Sequence, residues 1–129
     1  MGKTTKSNSG ADGVVSAVKD FDFAAVKRTK LYKGIRKDLL DQLERNGTVG
    51  QYYMDLVDDY MDMWLTKQAL VADIQDRGIQ ILGYSASGAP VIKKNESVES
   101  RIKINAQMLK LLSEIGIKPV QDSGDDDAL

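Results

Sequence analysis

Two segments of the chain carry apolar residues at helical spacing, over more of the helix circumference than a single contact face uses. Between residues 50 and 77, Tyr53, Val57, Tyr60, Met61, Trp64, Val71 and Ile74 make one stripe, and Leu56, Met63 and Leu70 make a second beside it. Together they span roughly 200°, where a surface helix of a globular domain uses a little over ~100°. Residues 96–115 repeat the pattern: Val98, Ile102, Leu109 and Leu112 form one stripe, and Ile104, Met108, Leu111 and Ile115 the next. The fold class this predicts is all-α. A helical hairpin is expected, with a long helix over 50–77, a second over 96–115, and a short extended or β-hairpin-like connection. A chain of 129 residues has few other elements to cover so much apolar surface, so further copies of the chain are expected to cover it. The expected seam comprises Tyr53, Leu56, Val57, Tyr60, Met63, Trp64, Leu70 and Val71 on the first helix, and Ile104, Met108, Leu111 and Ile115 on the second.

The punctuation supports these bounds. Ile35, Leu39 and Leu43 mark a shorter amphipathic helix that Asn46-Gly47 stops, glycine being the usual left-handed terminator. Thr48 and Gln51 have the spacing of a capping box ahead of the long helix. Arg77-Gly78-Ile79 and Gly116-Ile117 read as two further stops, each with an apolar residue after the glycine, and Pro119 forbids continuation. Asn95 is placed to cap the second helix, with Glu96 in a first turn that favours negative charge. Ile79, Ile81 and Leu82, the turn-forming run Ser85 to Pro90, and Val91-Ile92 supply the connection. Residues 14–26 fit two patterns, a strand by the alternation of Phe21 and Phe23 and a helix by Val14, Val18 and Phe21.

Charge divides the chain in a way that net charge, −1, conceals. Residues 1–37 carry nine Lys or Arg against three Asp, a net +6, and residues 38–82 carry nine acids against three bases, a net −6. Residues 1–30 are therefore expected to be a flexible or partly ordered basic arm, 31–120 a helical oligomerisation core, and 121–129 a disordered acidic tail. Lys27, Arg28, Lys30, Lys33, Arg36 and Lys37 place six positive charges in eleven residues, the footprint expected of a surface that neutralises nucleic-acid phosphates. Lys93 and Lys94 precede a helix N-terminus, where positive charge is unfavourable unless an anion is bound. They are secondary candidates for a phosphate contact.

Catalytic readings fare worse. The chain has no cysteine and no histidine, which excludes disulfides, Cys/His zinc sites and any triad with a His base. Gly2-Lys3-Thr4 has neither the earlier glycine nor the strand that a phosphate-binding loop requires. Lys6 stands where a myristoylation signal has Ser or Thr. Asp55, Asp58, Asp59 and Asp62 share a helix face and could hold Mg²⁺ as part of a metal-dependent enzyme. However, Asp73 and Asp76 extend the same side, which reads as the solvated face opposite the apolar arc. No metal, cofactor or catalytic residue is expected. No apolar run is long enough to span a membrane, and the polar N-terminus does not resemble a secretory signal.

The order of these features resembles the small subunit of tailed-phage terminases. An acidic, aromatic-bearing helix ends in Gly78, an extended connection holds Gly83 and Gly88, and Lys93-Lys94-Asn95 opens a helix. That helix closes with Leu111-Leu112-Ser113-Glu114-Ile115-Gly116-Ile117-Lys118-Pro119. The resemblance covers about residues 38–120. Glu96 stands where the family often has Pro, a mild change because both suit a first helical turn, and Lys118 stands where Thr is common. The acidic tail replaces the more polar or basic sequence usual there. The resemblance implies a non-catalytic, ring-forming homo-oligomer in the host cytoplasm. It would bind viral double-stranded DNA and present it to the large subunit, which carries the ATPase and nuclease. The alternative is a helical phage assembly or adaptor protein with no role in DNA recognition.

Overall fold

The computed structural model describes residues 20–48 and 50–119. The expected basic arm before residue 20 and the acidic tail after 119 lie outside the described residues. Asp22 opens the first helix, its carboxylate accepting from the Ala25 amide at 3.0 Å. This helix, α1 (Phe23–Lys27), lasts barely a turn. Thr29 then serves both sides of the break: its hydroxyl donates to the Val26 carbonyl at 2.7 Å and accepts from the Tyr32 amide at 3.2 Å. It thereby caps α2 (Lys30–Arg45). Most of the basic cluster thus lies on a regular helix that begins earlier than Ile35, Leu39 and Leu43 alone indicate.

Two of the three glycine stops are Schellman motifs. At the end of α2, Gly47 (φ 77°) donates to Glu44 and Thr48 to Leu43. At the end of α4 (Glu96–Glu114), Gly116 (φ 76°) donates to Ser113 and Ile117 to Leu112. Both satisfy carbonyls that a helix end otherwise leaves open. The first also removes the expected capping box. The Thr48 amide that Gln51 would have reached is taken by Leu43, and α3 (Gln51–Arg77) starts from Gly50, with no side-chain hydrogen bond at its cap. The third stop, Gly78, donates to Ile74, but the apolar contact expected after it is missing, because Ile79 is exposed.

The connection is a β-hairpin of β1 (Gln80–Tyr84) and β2 (Pro90–Lys94), antiparallel, with Leu82 opposite Ile92 and Tyr84 opposite Pro90. A Ser85–Gly88 turn closes it, Gly88 donating to the Ser85 carbonyl from a left-handed conformation. The four helices and two strands of the described residues make a mostly helical fold with one small sheet.

The core corrects the sequence argument at its central step. Leu39 and Leu43 of α2, Val57, Met61, Trp64 and Leu65 of α3, and Met108 and Ile115 beside them form one buried cluster. The wide apolar arc of α3 is used twice within the protomer: α4 packs along one flank, and α1 and α2 seal much of the other. Val26, Tyr32 and Ile35 pack against the same cluster, and the Tyr32 ring meets Trp64 edge-on at 5.9 Å. Along α3 the buried line continues through Leu65 and Ala69 to Asp73, a drift that a spacing of four produces on a helix of 3.6 residues per turn.

Candidate functional site

The basic residues divide once α2 is formed. Leu39, Leu43 and Ile35 turn α2 toward α3, which puts Lys30, Lys33 and Lys37 on the opposite, exposed side with Gly34 among them. Seven residues of helix separate Lys30 from Lys37, about 10 Å along the axis. Arg36 points the other way, its Nε donating to Asp58 on α3 at 3.0 Å. Lys37 is bridged to Asp41 at 2.6 Å; this hydrogen bond, reinforced by the carboxylate's charge, raises its pKa. Lys27, Arg28, Lys30 and Lys33 are exposed and make no ion pair with another described residue. The first turn of α2 contains no acid. Four cations thus gather at the end of the helix where the macrodipole is already positive, an arrangement that an anion would stabilise.

Lys93 and Lys94 stand apart from this face. They lie on β2, and the hairpin shares no substantial contact with α2. The Lys93 stem crosses Gly83: a Cβ on that glycine would lie 2.8 Å from Lys93 Cε. The glycine therefore lets the lysine lie flat on the hairpin.

The carboxylates divide too, into exposed acids on the solvated face and one buried one. Asp55, Asp58, Asp59 and Asp62 are exposed, Asp58 is taken by Arg36, and no group able to hold a metal occurs among the described residues. Asp73, assigned by its spacing to the solvated face, is instead only 1% exposed and forms the centre of a buried polar knot. Its two oxygens accept from Arg77 Nε at 2.6 Å and from the second guanidinium nitrogen at 2.7 Å, and Ser97 Oγ donates to it at 2.6 Å. Asn95 completes the knot. Its side-chain oxygen accepts from Arg77 at 3.1 Å and from the Ser97 amide at 2.9 Å, while its Nδ2 donates to the Gly78 carbonyl at 2.8 Å. The Arg77 hydrogen bonds outweigh desolvation and hold the Asp73 carboxyl at a pKa of about 2. The knot joins the end of α3, the base of the hairpin and the start of α4. The Lys-Lys-Asn helix start thus has a structural meaning that goes beyond capping. One signal in the sequence pointed here: Asp73 lies near the C-terminus of α3, where the helix dipole disfavours a carboxylate that is not paired.

The expected seam residues fall into two groups. Val57, Trp64, Met108 and Ile115 are buried inside the protomer, and Tyr53, Leu56, Tyr60, Met63, Leu70, Val71, Ile104 and Leu111 are half-buried. On α4 the middle of the other stripe faces outward, with Ile102 61% and Leu109 60% exposed, while its ends, Val98 and Leu112, are half-buried. On the hairpin, Leu82 and Ile92 form an exposed cross-strand pair next to exposed Tyr84. Spacing identifies both stripes of α4, but only the packing against α3 shows which is used internally.

Comparison with known families gives a match to the model described as "Phage terminase, small subunit", over residues 33–124. It begins within α2 and runs through α3, the hairpin and α4. No curated protein and no solved structure matches the chain.

Proposed function

The chain belongs to the phage terminase small-subunit family, and so to the phage packaging apparatus; on that premise we propose that it is a non-catalytic, DNA-binding adaptor that brings viral double-stranded DNA to the terminase large subunit. The observation that carries the DNA role is the run of exposed cations from the end of α1 into the first turn of α2. Lys27, Arg28, Lys30 and Lys33 sit together, exposed and unneutralised by other described residues, at a helix terminus that favours anions. Each phosphate neutralised by such a face releases counterions, which supplies affinity without reading sequence. Lys37 and Arg36 join the contact by exchanging Asp41 and Asp58 for phosphate, and Lys93 and Lys94 offer a second, separate contact.

We infer further that the working form is a homo-oligomer, with copies joined head-to-tail in a closed ring. Two unpartnered surfaces support this. A two-stranded hairpin is marginal by itself in water, and this one exposes Leu82, Tyr84 and Ile92. Ile102 and Leu109 give α4 a second such surface, flanked by the half-buried members of the expected seam. A ring multiplies a weak basic face by the number of subunits. No helix among the described residues is long and apolar enough to cross a membrane, in keeping with a role in the host cytoplasm.

The test is duplex binding as a function of salt. The affinity is expected to fall linearly on a log–log plot, by about 0.9 per phosphate contacted. Lys30→Gln and Lys33→Gln should each lower that slope by about 1. Failure of the parent protein to bind duplex at low salt would refute the DNA role and leave the assembly-protein reading.

A further inference from the structure

We propose that β1 is the open edge of the hairpin and pairs antiparallel with β1 of a second copy, across a two-fold axis at Leu82, so that two hairpins make one four-stranded sheet. The inference rests on the oligomeric form proposed above and deepens it. The hairpin is committed to an edge-to-edge contact in which both copies use the same surface, and the exposed Ile102 and Leu109 of α4 are left to the head-to-tail contact.

The hydrogen-bond register carries the inference. The Ser85 amide donates to the Ala89 carbonyl at 2.8 Å and the Asn95 amide to the Ile79 carbonyl at 2.9 Å, at the two ends of the hairpin. In an antiparallel pair, positions that exchange hydrogen bonds alternate with positions that do not. Between those ends, Ile81–Lys93 and Gly83–Val91 are therefore the bonded pairs, and Gln80–Lys94, Leu82–Ile92 and Tyr84–Pro90 the open ones. The N–H and C=O groups of Gln80, Leu82 and Tyr84 point away from β2, along the free side of β1. All three residues are exposed, and no helix among the described residues makes substantial contact with either strand. An uncovered row of this kind is a template for another strand.

The two edges are not equivalent. The free side of β2 presents Pro90, Ile92 and Lys94. Pro90 has no N–H to give, so any pairing through β2 leaves an acceptor of the incoming strand empty there. Lysine and proline are also the residues that discourage edge pairing. β1, by contrast, holds neither charge nor proline over its five residues, Gln80 to Tyr84. Self-pairing centred on Leu82 uses the whole strand: Leu82 meets the Leu82 of the second copy, and each Gln80 meets the other copy's Tyr84. Every outward N–H and C=O of β1 is then satisfied. The same register sets the exposed Ile92 and Leu82 and their two equivalents in one apolar row across four strands. A two-stranded hairpin is marginal in water, whereas three or more strands with an apolar face can be stable.

Native mass spectrometry of the full chain tests the contact. Leu82→Lys and Leu82→Glu each replace an exposed side chain, so the far-ultraviolet spectrum should stay helical. Each variant alone sets like charges directly opposite each other across the axis. Two-fold association is expected to weaken about tenfold in either variant and to return in an equimolar mixture, where Lys faces Glu. Only a residue that meets its own equivalent can be restored in this way, so weakening without restoration, or no weakening, would overturn the contact. The head-to-tail reading fails separately. Ile102→Asp with Leu109→Asp removes its surface, and a dimer is expected to remain. In that dimer the amides of Gln80, Leu82 and Tyr84 should exchange with solvent about tenfold more slowly than in its dissociated subunits. A dimer whose three amides exchange freely would refute the β1 pairing and leave the edge to a strand from another protein. A monomer obtained from a larger parent would refute it too, with the ring left standing. A parent that is itself monomeric would overturn both readings.

Discussion

Replacing Asp73 by Asn would alter one atom in a buried site and leave its shape unchanged, which isolates the charge. The carboxylate accepts three hydrogen bonds of 2.6–2.7 Å, two from Arg77 and one from Ser97. The amide of Asn would keep one acceptor and turn an N–H₂ toward groups that can only donate or already do. Asp73 has a pKa of about 2 against an ordinary 3.8, so its ionised form stabilises the fold by ~2 kcal/mol at neutral pH. Breaking a fully buried pair costs about 3–5 kcal/mol. Arg77 retains 31% side-chain exposure and water can partly compensate it, so the lower end applies and a loss of about 3 kcal/mol is expected. Urea unfolding at fixed protein concentration, followed by circular dichroism, should show the midpoint falling by more than 1 M with an unchanged slope, for a slope near ~2 kcal/mol/M. The sign of the pH dependence is fixed. A lowered pKa gives stability that is complete above pH ~4 and lost as pH falls through ~2. The gap between parent and variant should therefore narrow by about 1 kcal/mol between pH 7 and pH 3. A gap below 1 kcal/mol at neutral pH, or one that does not change down to pH 3, would refute the electrostatic account of the knot.

Trp64→Ala should destabilise the protomer itself by about 3–5 kcal/mol, as loss of a large buried aromatic does; normal unfolding with only the assembled mass reduced would show that Trp64 lies at a seam and not in the core. Ile102→Asp with Leu109→Asp should do the reverse, lowering the mass in native mass spectrometry while the far-ultraviolet spectrum stays helical, because both side chains are exposed in the protomer. An unchanged assembly would place the contact between copies elsewhere. Gly47→Ala should cost about 1 kcal/mol, since alanine is strained at φ 77° and no neighbour crowds the site; a neutral result in urea unfolding would mean that the α2 terminus relaxes.

The elements of this protein are local properties of its sequence. The apolar period of 3.6, the Gly47 and Gly116 stops, the Asn95 cap and the turn chemistry around Gly88 each act within a few residues. The two long helices, their ends and the connection between them were therefore legible without a structure. So was the chain's division into basic, acidic and near-neutral stretches, because charge is additive along a sequence. What packs on what is not local. Both stripes of α4 have the same spacing, and only contact with α3 separates the buried Met108 and Ile115 from the exposed Ile102 and Leu109. Asp73 matches the solvated acids in composition and in phase. It becomes buried because Arg77, Asn95 and Ser97, up to 24 residues away, converge on it when the hairpin folds back. Thr48 and Gln51 had the spacing of a capping box, but the Thr48 amide closes α2 and the long helix starts from Gly50. The six clustered cations likewise gave a charge density, while α2 determined its direction, turning Arg36 inward to Asp58 and the lysine row outward. Spacing fixes which residues share a face of a helix; burial of that face is a competition among all the faces in the molecule, and only the tertiary structure records its outcome.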